Sequence, residues 1–304
     1  MKIWDVIVIG GGPAGLNAAL VLGRSLRKTV IIDAETPRNN VTLSSHGFLT
    51  RDGEKPQRFR DIAVAQLKKY KTIAKTKDIV KTIIKQNNLF LIKTERGHIF
   101  QSKKVIVATG RIEELPDVKG LHNVFGTSVF VCPYCDGWEH KDEPLAVFGS
   151  GKAIVHFTSL ISNWSHDVVV FTNGETIKRA DKKELINHQI KVVEAPILEC
   201  QSKEGKLQSV RVEGQEESIY RTAGFIMGTG KKESFPLPES LGIKRNERGE
   251  YETDAHGETT VAGLYVIGDA KHSFTGLVCA AGEGYEAGVK INQALVNERW
   301  ASIK

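Results

Sequence analysis

Short apolar runs separated by longer mixed stretches recur along the chain in a fixed order. Val6-Ile7-Val8-Ile9 is continuous and apolar, the pattern of a parallel strand buried on both faces. Gly10-Gly11-Gly12-Pro13-Ala14-Gly15 follows at once, then a helix-like stretch from Leu16 to Leu26, then Thr29-Val30-Ile31-Ile32 ending in Asp33. Strand, glycine-rich turn, helix, strand and acid make one complete βαβ unit. The second half repeats the order: Leu145-Ala146-Val147-Phe148, Gly149-Ser150-Gly151, a helix-like stretch to about Asn163, and Val168-Val169-Val170-Phe171. Each half also closes alike, in Val105-Ile106-Val107-Ala108-Thr109-Gly110 and in Phe225-Ile226-Met227-Gly228-Thr229-Gly230. The pattern predicts an α/β protein made of two Rossmann-like, doubly wound, three-layer dinucleotide-binding domains that duplicate one unit.

After the second closure comes Gly263-Leu264-Tyr265-Val266-Ile267-Gly268-Asp269, a strand ending in Gly-Asp, and then a long small-residue helix from about Leu277. This segment has no partner strands of its own and is expected to return to the first domain. The predicted division is residues 1–114 with 232–304 for the first dinucleotide-binding domain, and 115–231 for the second, which carries the cysteine pair. The crossings near 111–119 and 230–238 are rich in Pro, Gly and charge, as linkers are.

Composition narrows the function classes. The 304 residues carry a net charge of +6, with 40% hydrophobic and 26% charged residues, ordinary for a soluble two-domain protein. The lysines are scattered, and no dense basic run interleaves with aromatics, so nucleic acid is not an expected partner. The apolar runs fall far below the roughly 18 residues that would span a bilayer. Four cysteines are too few for a secreted disulfide scaffold, and no signal-peptide pattern opens the chain. The reading is a cytoplasmic protein without a membrane partner.

The glycine cluster carries the first chemistry. Gly10 permits the tight turn, Gly12 lets a pyrophosphate approach the backbone, and Gly15 allows close helix–strand packing. The helix that follows offers N–H groups and a positive dipole end to phosphate. Asp33 stands where a carboxylate accepts from adenosine ribose hydroxyls. In this context Gly268-Asp269 reads as the second FAD contact, with Asp269 accepting from the ribityl chain. The helix from Leu277 then aims its N-terminus at the flavin.

Cys132-Pro133-Tyr134-Cys135-Asp136-Gly137 carries the second. The spacing suits half a zinc site, a redox pair, or two inert cysteines. Zinc needs two more ligands, and neither Cys200 nor Cys279 has a Cys or His nearby at ligand spacing, so no metal is expected. Cysteines three apart can close a small disulfide ring, a spacing that lowers one thiol's pKa, and Asp136 can hold or donate a proton during exchange. Cys200 and Cys279 are read as core residues, Cys279 with an approach to the flavin. His256 and His272 are weak candidates, and His46 is placed in a loop near the cofactor.

In this order and over nearly the whole chain, these motifs resemble the low-molecular-weight thioredoxin reductases, in which the cysteine pair sits just before the first strand of the nicotinamide domain. The resemblance implies that Cys135 faces the flavin, that Cys132 is the interchange thiol, and that Asp136 is the general acid/base. It also implies a homodimer, rotation between the domains, and a thioredoxin-like protein or a small dithiol or disulfide as substrate. The expected cofactor shell is Gly10, Gly12, Pro13, Ala14, Gly15, Asp33, Arg38, Asn39, His46, Val80, Thr109, Gly110, Gly268, Asp269, Leu277 and Val278.

The chain departs from that pattern in its second half. Ile154 stands where the second Gly-x-Gly motif has Ala, and Phe171 to Ile177 has none of the arginines that grip an NADPH 2′-phosphate. Thr275-Gly276-Leu277 replaces an expected Arg-Gln-Ala. Arg38-Asn39, the loop Ser45 to Gly53, and Cys-Pro-Tyr-Cys with Gly-Trp-Glu resemble the dithiol oxidases that close disulfides in natural products such as gliotoxin and holomycin, although those usually have His where Asp136 stands. Three activities follow: a disulfide reductase, an oxygen-dependent dithiol oxidase, and a non-enzymatic flavin redox sensor. Use of NAD(P)H is left open, with weak or absent use of NADPH expected.

Overall fold

Residues 2–272 and 274–303 are described by the computed structural model. The chain divides into two compact units, Met1–Asn40 with Gly47–Ile112 and Lys231–Lys304, and Val41–His46 with Glu113–Gly230. Six residues, 41–46, cluster with the second unit and not with their flanks.

The first unit is built on a seven-stranded sheet. The central strand Ile3–Ile9 pairs in parallel with Thr29–Asp33 on one side and Ile99–Val107 on the other. Ile99–Val107 is shared along its length. Its first half pairs antiparallel with Leu89–Thr94, and its second half pairs parallel with the late strand Leu264–Val266. The last segment therefore does return to the first unit.

Alternation along the central strand assigns the layers. Val6 and Val8 face the helix Pro13–Arg24 and the final helix Leu277–Ala301. Ile7 and Ile9 face the other way, toward Phe90, Ile92, Leu237 and Tyr251. The two helices meet through small residues: a Cβ on Gly284 would stand 2.1 Å from the Ala14 carbonyl oxygen.

The second unit holds a five-stranded parallel sheet, with Leu145–Phe148 flanked by Val168–Phe171 and Ala223–Ile226 and with Val129–Phe130 at one edge. A three-stranded antiparallel sheet, Ile197–Lys203, Lys206–Val212 and Ile219–Tyr220, covers one face. The helix Ile154–Ile161 covers the other. The two crossing segments, Arg111–Glu114 and Gly230–Glu233, pair as a two-stranded ladder. Among the described residues, no helix is long and apolar enough to cross a membrane.

Candidate active site

In the first unit, strand register brings distant motifs together. Ile9 lies opposite Val107, and Val107 opposite Val266. Gly10, Thr109-Gly110 and Gly268-Asp269 therefore emerge side by side at the carboxyl edge of the sheet, where open α/β sheets bind ligands. Gly10 has φ +105°, and a Cβ there would stand 2.3 Å from the Ala108 carbonyl oxygen. A Cβ on Gly15 would stand 2.1 Å from the Gly10 carbonyl oxygen, so helix and turn touch as the motif requires. A Cβ on Gly12 would meet nothing within 4 Å, and the helix starting at Pro13 has no side-chain cap. Open space in front of uncapped N–H groups fits a pyrophosphate.

The acids of this edge are already engaged. Asp33 is buried, accepts from the N–H groups of Gly11 and Glu35 at 3.1 Å, and pairs with Arg60 at 2.7 Å. It clamps the glycine turn, a role beyond the ribose contact expected of it. Beside it, Lys75 and Lys77 hold the half-buried Glu35 carboxyl down to about 2. Asp269 accepts from Thr275 N–H at 2.8 Å and pairs with Arg38 at 2.5 Å, while Arg111 Nε donates to its carbonyl. Glu283, on the final helix, accepts from Gly268 N–H at 2.7 Å and pairs with His272. Asn39 lies in the short 3₁₀ turn Arg38–Val41. The Val80 side chain is buried among the sheet residues, and Val278 is half-exposed beside Leu277 in the first turn of its helix.

In the second unit, the edge strand Val129–Phe130 feeds a single helical turn, Pro133–Asp136. Cys132 is its N-cap and Pro133 its first helical residue, where a missing N–H costs nothing. The N–H groups of Cys135 and Asp136 both reach the Cys132 carbonyl. One turn therefore puts both sulfurs on the same side, with Sγ atoms 2.7 Å apart. The turn is braced from below: Trp164 packs edge-on to Tyr134, and a Cβ on Gly137 would stand 2.7 Å from the Trp164 ring. Cys132 is buried and Cys135 half-buried.

Asp136 completes the turn. Burial pushes its carboxyl up to about 7, and the charges of Cys132 and Glu139 push the same way, while His46 opposes them. A carboxyl that holds and releases its proton near neutral pH is suited to acid/base work beside a thiol pair. His46, expected in a loop near the cofactor, clusters with this unit, with Nε2 3.5 Å from Glu139 Oε1. Glu139, quoted above only within Gly-Trp-Glu and given no role there, lies three residues after Asp136. Cys200 is buried as expected, its thiol pushed up to about 12 by burial. Cys279 is exposed, against the expectation of a core residue.

The pyridine nucleotide-disulphide oxidoreductase model matches residues 4–284. The chain belongs to that family. Within this pyridine nucleotide-disulphide oxidoreductase family it is a thioredoxin reductase-like flavoprotein oxidoreductase. An Arthroderma benhamiae protein described as a thioredoxin reductase is 30% identical over 97% of this chain and 81% of its own length. A Bacillus anthracis structure described as a thioredoxin reductase matches with a TM-score of 0.93 at 37% identity, over 97% of this chain and 99% of that one. The structure of HlmI matches with a TM-score of 0.94 at 32% identity, over 99% of this chain and 95% of that one.

Not every nucleotide site of the family is equally formed here. In the second unit the helix after Gly149-Ser150-Gly151 begins only at Ile154, whose side chain is fully buried in the core. Ser150 donates to Glu175 Oε2, which puts a carboxylate on the turn that a pyrophosphate would occupy. The open, uncapped turn of the first unit fits the pyrophosphate of FAD.

Proposed function

We propose that the protein is an FAD-dependent thiol–disulfide oxidoreductase that moves electron pairs between the flavin, the Cys132/Cys135 pair and an external dithiol or disulfide. The substrate is a thioredoxin-like protein or a small molecule. The observation that carries this reading is the helical turn with its sulfurs 2.7 Å apart and a carboxyl titrating near 7 beside them.

Bound FAD would supply the two-electron store, held by Gly10, Gly12, Gly15, Gly110 and Asp269. The chain's own residues do the rest. A substrate thiolate attacks Cys132 Sγ, the bond between the two cysteine sulfurs breaks, and Cys135 leaves as thiolate. The second substrate thiol then displaces Cys132 and closes the substrate's disulfide, so two electrons pass to the cysteine pair. Asp136 takes up the proton that an attacking thiol gives off, and run backward the same steps reduce a disulfide. Serine variants of each cysteine separate these two roles.

The carboxylate on the second glycine turn supports a second reading, in which a dithiol is the electron donor and oxygen the acceptor. Anaerobic mixing of the yellow protein with NADPH, NADH and dithiothreitol tests both. Fast bleaching by a nicotinamide supports a reductase, and fast bleaching by the dithiol alone supports an oxidase. If no donor bleaches the flavin, the oxidoreductase reading fails. A homodimer fits an exposed apolar face of the final helix, formed by Val278, Tyr285, Val289, Val296 and Trp300.

A further inference from the structure

Two ionisable side chains stand beside the cysteine turn without a task in the chemistry above. Glu139 lies three residues after Asp136, where the chain is still turning, so the two carboxyls are neighbours. His46 reaches the same place from far away in the sequence. Its segment, 41–46, is seated against Gly126, which has φ +79° and where a Cβ would stand 2.6 Å from the Val41 carbonyl oxygen. That seat delivers the imidazole to 3.5 Å from Glu139, with the His46 side chain only 20% exposed.

We propose that His46 and Glu139 are positioning residues for the thiol–disulfide reaction, a charge pair that brackets Asp136 and divides control of its proton. The proposal rests on the reading of Asp136 as the proton carrier. Like charge on Glu139 makes the Asp136 carboxylate costlier and keeps the proton on, whereas an imidazolium at 46 makes it cheaper and lets the proton leave. Burial acts first on the Asp136 carboxyl, then Cys132 and Glu139 in the same direction, and His46 opposes them. Because the two members act with opposite sign, neither is a passive prop.

The test is the pH profile of disulfide interchange, read by rapid mixing of the holoenzyme with dithiothreitol between pH 5.5 and 9. Asp136→Asn establishes which ionisation belongs to Asp136. Glu139→Gln is expected to move that midpoint down by about half a pH unit, and His46→Gln to move it up by about as much, the size of a partly exposed charge pair. The double variant is expected to return close to the parent, since each change cancels the other. Midpoints that stay put, or that move the same way in both single variants, overturn the proposal while leaving Asp136 its role. A parent profile with no ionisation that Asp136→Asn removes overturns both.

Discussion

Replacing Asp136 by Asn is expected to strengthen the fold and cripple the reaction. In the folded protein the carboxyl is raised from 3.8 to about 7, by burial first and then by Cys132 and Glu139. A folded-state pKa above the unfolded one has a definite sign. Below about pH 4 the carboxyl is protonated in both states and folding bears no penalty. From there the unfolded chain ionises while the folded chain resists, so stability drains away until the folded group ionises too, near pH 7. At about 1.36 kcal/mol per pH unit the ceiling is about 4 kcal/mol, and solvent reaching the half-buried carboxyl leaves about 2 kcal/mol. Asn is neutral and similar in shape, so it escapes that penalty. At about 2–4 °C per kcal/mol, Asp136→Asn should melt about 4–8 °C above the parent at pH 8.5, with a difference that shrinks toward pH 5. Its interchange rate should fall about a hundredfold or more, the usual contribution of a positioned acid/base. Thermal melts at the two pH values, paired with rapid-mixing kinetics, read both effects. A variant less stable than the parent at pH 8.5, or one whose gain is the same at pH 5, would show that the site does not hold the proton on Asp136.

Three further outcomes follow from the same geometry. With FAD bound, Cys132→Ser should leave the Cys135 thiolate against the flavin and give a long-wavelength charge-transfer band in the visible spectrum, while Cys135→Ser gives none; the reverse result exchanges their roles. Gly10→Ala should lower both flavin occupancy and melting temperature, by about 2 kcal/mol or more, because its φ of +105° and the Ala108 oxygen both resist a Cβ. Gly12→Ala, with open space around its Cβ, should leave the apoprotein's melting temperature unchanged and weaken only FAD; equal melting losses in both variants would contradict this. Glu175→Gln should tighten NADPH binding to the oxidised holoenzyme about threefold by calorimetry, because it removes a charge hydrogen-bonded to Ser150; unchanged affinity would mean that Glu175 does not guard the turn.

Backbone chemistry was legible in the sequence, and side-chain partnerships across the chain were not. Gly10 and Gly15 are dictated locally by a turn and a close approach, and the late strand Leu264–Val266 announced itself by lacking neighbours. The clamp of Arg60 on Asp33 joins residues whose meeting depends on how a helix packs, which no local pattern encodes. Segment 41–46 reads as an ordinary continuation of its flanks, and only Gly126 far downstream explains where it sits. Cys279 was misjudged by phase. The buried stripe of its helix runs through Ala280, Gly284, Ala287, Ile291 and Leu295, and Cys279 stands one residue out of step among small residues that look alike.

The pairing of Leu264–Val266 with Val105–Val107 bears on the order in which the molecule assembles. In an unfolded chain, that contact closes a loop of about 160 residues. If the nested unit folds first, the ladder of Arg111–Glu114 with Gly230–Glu233 holds its two ends together, and the loop still to be closed shrinks to about 40 residues. By polymer statistics the shortcut reduces the closure entropy by about 1 kcal/mol. Folding from the inside outward is therefore the cheaper route, and pulse-labelled hydrogen exchange should find the amides of Leu145–Phe148 protected before those of Val105–Val107. On a ribosome the same geometry delays flavin capture: the carboxyl edge that holds the cofactor lacks its last strand until that strand has emerged, long after the cysteine pair has reached its place.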